Sequence, residues 1–460
     1  AGPAEPATPV APVGAEVAVT PGGARARALS GGRTVTDAGR TTATVPLRVH
    51  GRPLGLVEFH RSAHRPAFDP DDLLLAEDLA ARAAVSIDNA RRYTREHGTA
   101  VALRRSLLPR AVPGRTGLEL AHRYRSARAG VGGDWFDVIP LPGFRTALVV
   151  GTVAGHGIGA AVVMARLRTA IRTFAALDLP PDEVLGRLDE VVSQLDEESG
   201  GADATGSTCV YAVYDPVDGR CTTVRAGHPG PVVLAPDGAV RRPGTAGSPP
   251  LGAGGHPFET TEFRLDPGST LLLFNEGLLG GGGPERLRSA LAGRAGAGPE
   301  EVCAAAVGAG PAQDPSGDVT LLAARTALLP PDRVVVRDVP SDPAAVARVR
   351  NACAAQLAGW GLEEISFGTE LILSELITNA VRHGTPPIRV RMLLDTSLVC
   401  EVSDGSSTAP HLRWAADTDE GGRGIFLVAR VAHRWGTRYT DTGKVIWSEQ
   451  PLTGDALSDG

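Results

Sequence analysis

The hydrophobic positions of this chain change period several times, and each change marks a predicted element. Two runs, "TTATVPLRVHG" and "RPLGLVEFHR", alternate apolar and polar side chains and meet at Gly51, which predicts a pair of strands with a turn between them. Asp69 then stands before Pro70 and further acids, the pattern of a capped helix start. Leu75, Leu79, Ala83, Ile87 and Ala90 keep a helical stripe from there. A break is expected near Gly98, and a second helical piece, "TAVALRRSLLP", ends at Pro109. Paired strands followed by one long amphipathic helix bury little core alone, so a homodimer through the linker helix is expected.

From 112 to 327 strands and helices alternate around glycine turns. Strands are predicted at 145–153, 208–214, 220–226, 231–235, 269–274 and 319–326, and helices at 159–176 and 181–195. Pro330-Pro331 reads as a linker. The last stretch, 333–452, reads as a strand, helices 342–359 and 363–383, strands 387–394 and 397–403, a glycine-rich loop, helix 423–432 and two closing strands. Residues 1–40 lack apolar period and are expected to be a disordered or truncated segment. The expected fold class is a multidomain α/β and α+β chain.

Composition narrows the function classes. A formal net charge of −6 provides no global basic field, so neither nucleic acid nor membrane is expected as a partner. Arginine carries nearly all the positive charge, and Lys444 is the only lysine. The five cysteines are scattered and never in CxxC spacing, which fits core residues in a reducing, cytoplasmic setting. No charged-then-apolar leader is expected at the start. The apolar stretch 146–165 contains four glycines and His156, so it reads as strand, turn and helix rather than a membrane span.

In "ELILSELITNAVRHG" the spacing puts Glu375 and Asn379 on one face of a largely apolar helix. Half-buried, such a pair needs a partner. A Mg²⁺ ion on the Asn379 oxygen satisfies it, with Glu375 orienting or deprotonating a hydroxyl. Downstream, "EVSDGS" ends a strand with Asp404-Gly405, where an acid could accept from an exocyclic amine such as that of adenine. "EGGRGIFLV" then places Gly422, Arg423 and Gly424 at a helix start, where free N–H groups favour phosphate. In this order the three segments resemble the GHKL ATPases, and within them the anti-sigma-factor serine kinases, with "GKVIWSE" resembling the closing strand. The resemblance implies a GHKL (Bergerat) α/β sandwich over 333–452. It makes Glu375 the catalytic base, and Asn379, Asp404, Gly405, Gly422, Arg423 and Gly424 the residues that bind ATP with Mg²⁺. The usual second glycine after "DG" is replaced here by Ser406, Ser407 and Thr408. A histidine kinase is the competing member of that superfamily, but nothing upstream resembles its phosphoacceptor helices.

"VVGTVAGHGIGAA" has the look of a dinucleotide turn, yet the acids at the required distance, Asp178 and Asp182, lie in a proline break. The segments "RYRSARAGVGGDWFDVIPL", "RAGHPGPVVLAPDG", "GSPPLG", "LLLFNEGLLG" and "SGDVTLLAAR" together resemble the metal-dependent PPM-type serine/threonine phosphatases, in particular the stage II sporulation protein E family. The resemblance covers 112–327 and implies a β-sandwich flanked by helices, holding two Mg²⁺ or Mn²⁺ ions that ionise a water for in-line attack on phosphoserine. "LRRSLLP" resembles that family's linker helix (96–111), and "FDPDDLLLAEDLAARAAVSIDNARRY" the end of a GAF sensor domain (41–95). By motif the metal acids fall at Asp134, Glu276 and Asp318, while Thr152 and Gly317 stand where the family has aspartates, and Asn275 replaces a threonine. Two cations about 4 Å apart repel strongly without bridging acids. A single metal helped by Asp318 or Asp137 stays open.

The resulting expectation is a cytoplasmic partner-switching regulator with a degenerate phosphatase domain and an ATP-binding serine-kinase-like domain. Its implied substrate is a STAS-type anti-sigma antagonist protein, and a sigma factor is a further candidate partner. The alternative is a non-catalytic pseudophosphatase scaffold that binds ATP and a partner.

Overall fold

The computed structural model describes residues 19–62, 64–107, 114–125, 132–199, 204–244, 246–254, 257–280, 283–310, 317–408 and 424–452. Contacts divide the chain into two units, Ala1–Thr99 and Ala100–Gly460.

In the first unit the predicted hairpin forms between Thr42–Val49 and Arg52–His60; residues 1–40, expected to be disordered or truncated, instead supply helix Ala24–Gly31, whose Arg25 pairs with Glu58, and the edge strand Val35–Thr36. His50 and Gly51 both take positive φ at the turn (48° and 80°), as a two-residue hairpin connection requires. The helix Pro70–Leu107 begins with a reciprocal cap. Asp69 Oδ1 accepts from the Asp72 amide at 2.8 Å, and Asp72 Oδ2 accepts from the Asp69 amide at 3.0 Å.

Two expectations about this helix are corrected. It runs unbroken through Gly98, because one interior glycine costs only about 1 kcal/mol and a long helix absorbs it. Its buried face is Ala76, Ala80 and Ala84 against Val45 and Leu47, while Leu75, Leu79, Ala83 and Ala90 are exposed. Small side chains let the helix lie close to the sheet, so the larger leucines one position away turn outward.

The second unit contains two five-stranded antiparallel sheets packed face to face. One runs Thr261–Arg264, Arg220–Ala226, Thr208–Asp215, Thr146–His156, Gly132–Pro140. The other runs Val240–Arg241, Val232–Leu234, Thr270–Phe274, Val319–Thr326, Leu118–Arg125. Phe136, Leu148, Val150, Val210, Leu273 and Leu322 fill the space between them. Trp135, Val149 and Tyr211, on the opposite face of their strands, pack under helices Gly157–Ala176 and Pro181–Ser199. Helices Gly283–Leu291 and Pro299–Ala309 cover the other sheet through Leu287, Leu291 and Val302. Burial on both faces explains why these strands read as continuous apolar runs rather than alternating ones.

A third sheet follows, ordered Val334–Val339, Ile388–Leu394, Ser397–Asp404, Gly443–Pro451, Arg434–Thr440 and antiparallel throughout. Helices Pro343–Gly359, Glu363–His383 and Gly424–Val431 pack on one face through Leu357, Ile372, Leu376, Ile377 and Val428. Asp342 caps the first of them, accepting from the Ala344 amide at 3.0 Å ahead of Pro343. The opposite face meets the sandwich. Leu393 and Val399 pack with Leu329, Phe144 and Val217, and Arg391, Glu401 and Arg438 enter a shared ionic cluster with Asp178 and Asp215. The observed architecture is the expected one, a phosphatase-like β-sandwich flanked by helices and then an α/β sandwich. No described helix is long and apolar enough to cross a membrane.

Candidate functional site

Two clefts hold the residues singled out from the sequence. In the sandwich, Asp134 lies directly opposite Thr152 across the strand pair Gly132–Pro140 and Thr146–His156. Period two sends Asp134 and Phe136 toward the facing sheet and Trp135 and Asp137 toward the helices. Asp137 is fully buried and held by Arg168 at 2.9 Å and Arg172 at 2.6 Å. Its carboxylate is therefore a strut between strand and helix, so of the two acids left open beside a single metal only Asp318 lines this cleft.

Asn275 occupies the centre of the cleft. Its Nδ2–H group donates to Asp134 Oδ2 and, at 2.7 Å, to the Asp318 carbonyl, while its Oδ1 accepts from the Thr320 amide at 3.0 Å. The Tyr124 hydroxyl donates to Asp318 Oδ2. Burial pushes the Asp134 carboxyl up to about 7; the nearby Asp318 charge adds to the rise, and hydrogen bonds from Thr152 and Asn275 oppose it. Glu276 opens the short helix Glu276–Leu279 and is exposed.

Asp134 and Asp318 thus come together, and Glu276 faces out. Among the described residues no three His, Cys, Asp or Glu side chains converge as metal ligands. Two carboxylates, one already capped by an amide N–H, do not fit a pair of divalent cations, whose charge needs bridging anions. At Gly317 a Cβ would meet nothing within 4 Å, so the position of the absent aspartate is open space.

The glycine turn beside this cleft keeps its shape. Gly155 and Gly157 both have positive φ (83° and 84°), and helix Gly157–Ala176 begins at the second of them.

In the third sheet, Asp404 ends the strand Ser397–Asp404 and is buried. Oδ1 accepts from the Ser406 amide at 2.8 Å and from Lys444 Nζ at 2.9 Å. Oδ2 is buried with no hydrogen-bond partner among the described residues. An orphaned buried carboxylate oxygen is costly, and a ligand N–H donor offsets that cost.

Glycines make the room around it. A Cβ on Gly384 would lie 2.7 Å from the Asp404 carboxyl carbon, and one on Gly405 would lie 3.0 Å from the Pro386 carbonyl. Glu375 and Asn379 are half-buried on Glu363–His383, one turn apart. A Cβ on Gly424 would lie 2.6 Å from Glu375 Oε2, so the acid reaches the first residue of helix Gly424–Val431. These donors and acceptors fit a nucleotide: Oδ2 of Asp404 for an amine, a helix start for phosphate, and the Asn379 oxygen for a Mg²⁺ ion. Gly422 and Arg423 lie outside the described residues.

Sequence reasoning missed Asn275 as the hub of the sandwich cleft and Lys444 as the partner of Asp404. Asn275 was visible as the threonine replacement in "LLLFNEG", and Lys444 as the single lysine of the chain, inside the closing-strand segment "GKVIWSE".

Family models match the regions that carry these folds. The two sheets with their helices define a metal-dependent-phosphatase-like sandwich, and the third sheet with its helices defines a GHKL-type nucleotide-binding sandwich. Residues 142–327 match the stage II sporulation protein E family, residues 339–448 the histidine kinase-like ATPase domain and residues 33–87 the GAF domain. Asp134 precedes the first of these matches and is placed by the structure alone. Protein IcfG of Synechocystis sp. is 24% identical over 214 residues, which are 42% of this chain and 33% of that protein. The chain therefore spans about a third of the length of this curated relative.

Among solved structures, the RsbU and RsbW domains of Rv1364c from Mycobacterium tuberculosis are similar over 75% of this chain and 96% of theirs, with 24% identity and a TM-score of 0.43. The SiaA-PP2C domain of Pseudomonas aeruginosa covers 52% of this chain and 98% of its own, with 19% identity and a TM-score of 0.43.

Proposed function

We propose that this chain is a partner-switching regulator whose nucleotide-binding half acts as a protein serine kinase on a STAS-type antagonist, while its phosphatase-like half has lost the two-metal centre. The observation that carries the reading is the contrast between two acids. Asp404 presents a buried oxygen with no partner among the described residues inside a glycine frame, whereas Asp134 Oδ2 accepts from the Asn275 amide. The first waits for a ligand; the second has an internal one.

In the proposed reaction Glu375 takes the proton of the attacking serine hydroxyl, the oxygen–phosphorus bond forms, and ADP leaves with its bridging oxygen. Mg²⁺ held by Asn379 would neutralise phosphate charge. Asp404 and Gly405 would seat the base, and Gly422, Arg423 and Gly424 the phosphates. On this reading the chain divides into a GAF-like segment at 41–95, a linker at 96–111, a phosphatase-like domain at 112–327 and the kinase-like domain at 333–452. The exposed Leu74, Leu75, Leu79 and Val85 on the long helix support pairing with a second copy. A sigma factor is the partner that release of the antagonist would affect.

Two assays test this together. Phosphate transfer from radiolabelled ATP to a STAS-type protein is expected from the natural chain and abolished in Glu375→Ala. Phosphate release from a phosphoserine STAS protein with Mn²⁺ is expected only from the Thr152→Asp, Gly317→Asp double variant, in which Asp134, Glu276 and Asp318 would serve as the remaining metal ligands. Turnover by the natural chain would restore the phosphatase reading, and absence of both activities would leave the scaffold reading.

A further inference from the structure

Lys444 is the single lysine among 460 residues, and it is 4% exposed. A lone ammonium buried beside one carboxylate is an expensive arrangement unless the pair does something an apolar pair cannot. Its position is specific. Lys444 is the direct cross-strand partner of Asp404 in the register of Ser397–Asp404 against Gly443–Pro451. Its Nζ reaches Oδ1 of Asp404 at 2.9 Å, and that same oxygen accepts from the Ser406 amide at 2.8 Å.

With Oδ1 holding two donors, the carboxylate cannot rotate without breaking both bonds. Oδ2 of this carboxylate is left buried with no hydrogen-bond partner among the described residues. The surroundings also hold the group in place. The Asp404 carboxyl carbon lies where a side chain on Gly384 would stand, and the Asp404 backbone lies where one on Gly443 would stand. A fixed acceptor with its charge balanced from behind distinguishes a base carrying an N–H donor from one carrying a carbonyl or a bare carbon.

We propose that Lys444 is a specificity-determining positioning residue, which orients Asp404 so that the site selects purine nucleotides with an exocyclic amine at the sixth position. The inference rests on the nucleotide reading of this site and adds how the base is chosen. Lys444 acts through Asp404 and does not touch the reacting phosphate.

The test uses the full chain and three nucleotides: ATP, purine riboside triphosphate with hydrogen at the sixth position, and inosine triphosphate with a carbonyl there. Calorimetric affinities of the natural chain are expected to favour ATP over either analogue by about 10- to 100-fold, the range of one hydrogen bond to a charged group. In Lys444→Met the ratio should fall toward one, and in Lys444→Arg it should largely return, which a purely structural role would not produce.

Because the chain has one lysine, ¹⁵Nζ-lysine labelling yields a single ammonium resonance, and this readout needs no variant. That resonance should move on addition of ATP and move less with purine riboside triphosphate. An unchanged ratio in a folded Lys444→Met protein, preference for inosine triphosphate by the natural chain, or a resonance indifferent to ATP overturns the proposal. A natural chain that binds none of the three nucleotides removes the nucleotide reading itself, and this inference with it.

Discussion

Arg438 and Asp178 stand 260 residues apart in sequence, and the guanidinium of one lies 3.5 Å from the carboxylate of the other. The same arginine reaches Glu401 at 3.4 Å, while Asp178 also binds Arg145 at 2.6 Å and Glu401 also binds Arg391 at 2.6 Å. One chain of alternating charges therefore runs from the sandwich into the nucleotide-binding sheet. Its acidic link, Glu401, lies three residues before Asp404 on the same strand. A cavity of about 620 Å³ opens beside the cluster, lined in part by Asp215, Arg220, Arg389 and Asp441.

Breaking this chain at its centre should be costly. In Arg438→Met both acids keep another arginine, so the loss is expected at the lower end for a buried pair, about 3 kcal/mol. Differential scanning calorimetry of the full chain checks it. The transition of residues 100–460 should move down and separate into two, one of them still raised by ATP. A single unmoved transition would show that apolar packing through Leu329, Leu393 and Val399 suffices.

The cluster also sets an acid limit. Burial pushes the Glu401 carboxyl up, but the guanidinium groups of Arg391 and Arg438 outweigh it and hold the group at about 2, below its ordinary 4.5. A depressed carboxylate contributes stability that is complete above the unfolded value and lost as pH falls from about 4.5 through about 2. The amount is on the order of 3 kcal/mol. Glu401→Gln should lower the melting temperature at pH 7 and flatten the loss between pH 5 and pH 2. An equally steep loss in the variant would place the acid sensitivity elsewhere.

Asp134 has the opposite sign. Its folded value near 7 lies above the ordinary 3.8, so the native state holds a proton that the unfolded chain releases. Stability from this group is complete below about 4 and is lost as pH rises through about 7. Asp134→Asn keeps an oxygen for the Asn275 amide and removes the charge. Relative to the natural chain, the variant should gain on the order of 4 kcal/mol between pH 4 and pH 8. Urea unfolding at both pH values measures it. No relative gain would mean that Asp134 is ionised and balanced in the native cleft.

Much of this architecture was legible in the residues. The helix over Glu363–His383 and the strand over Arg220–Ala226 match the predicted bounds because a glycine or a turn closes each one. Spacing alone left a metal role for Asp137 open, since its partners sit on another element, although Arg168 and Arg172 stand one helical turn apart and so share a face. The face of the long helix was missed by one position, because hydrophobicity favours leucine while close packing on a sheet favours alanine. The cap on Asp134 could not be read from spacing at all, since Asn275 stands just past the strand Thr270–Phe274 of one sheet while Asp134 lies on a strand of the other, and they meet only when those sheets pack. Gly422 and Arg423, expected from the sequence to meet the phosphates, lie outside the described residues.

Gly424 offers the most direct probe of the proposed base. A Cβ there would come within 2.6 Å of Glu375 Oε2, the far end of a flexible side chain. Gly424 is the first residue of its helix and is not at positive φ, so its backbone accepts alanine without strain. Gly424→Ala should therefore leave stability nearly unchanged while turning the Glu375 carboxylate away from its present place. If Glu375 takes the serine proton, the expected result is a fall of at least tenfold in kcat for phosphate transfer, beyond any loss of ATP affinity from the phosphate contact proposed at Gly424. A variant that loses ATP affinity alone, with kcat kept at saturating ATP, would remove Glu375 from the chemistry.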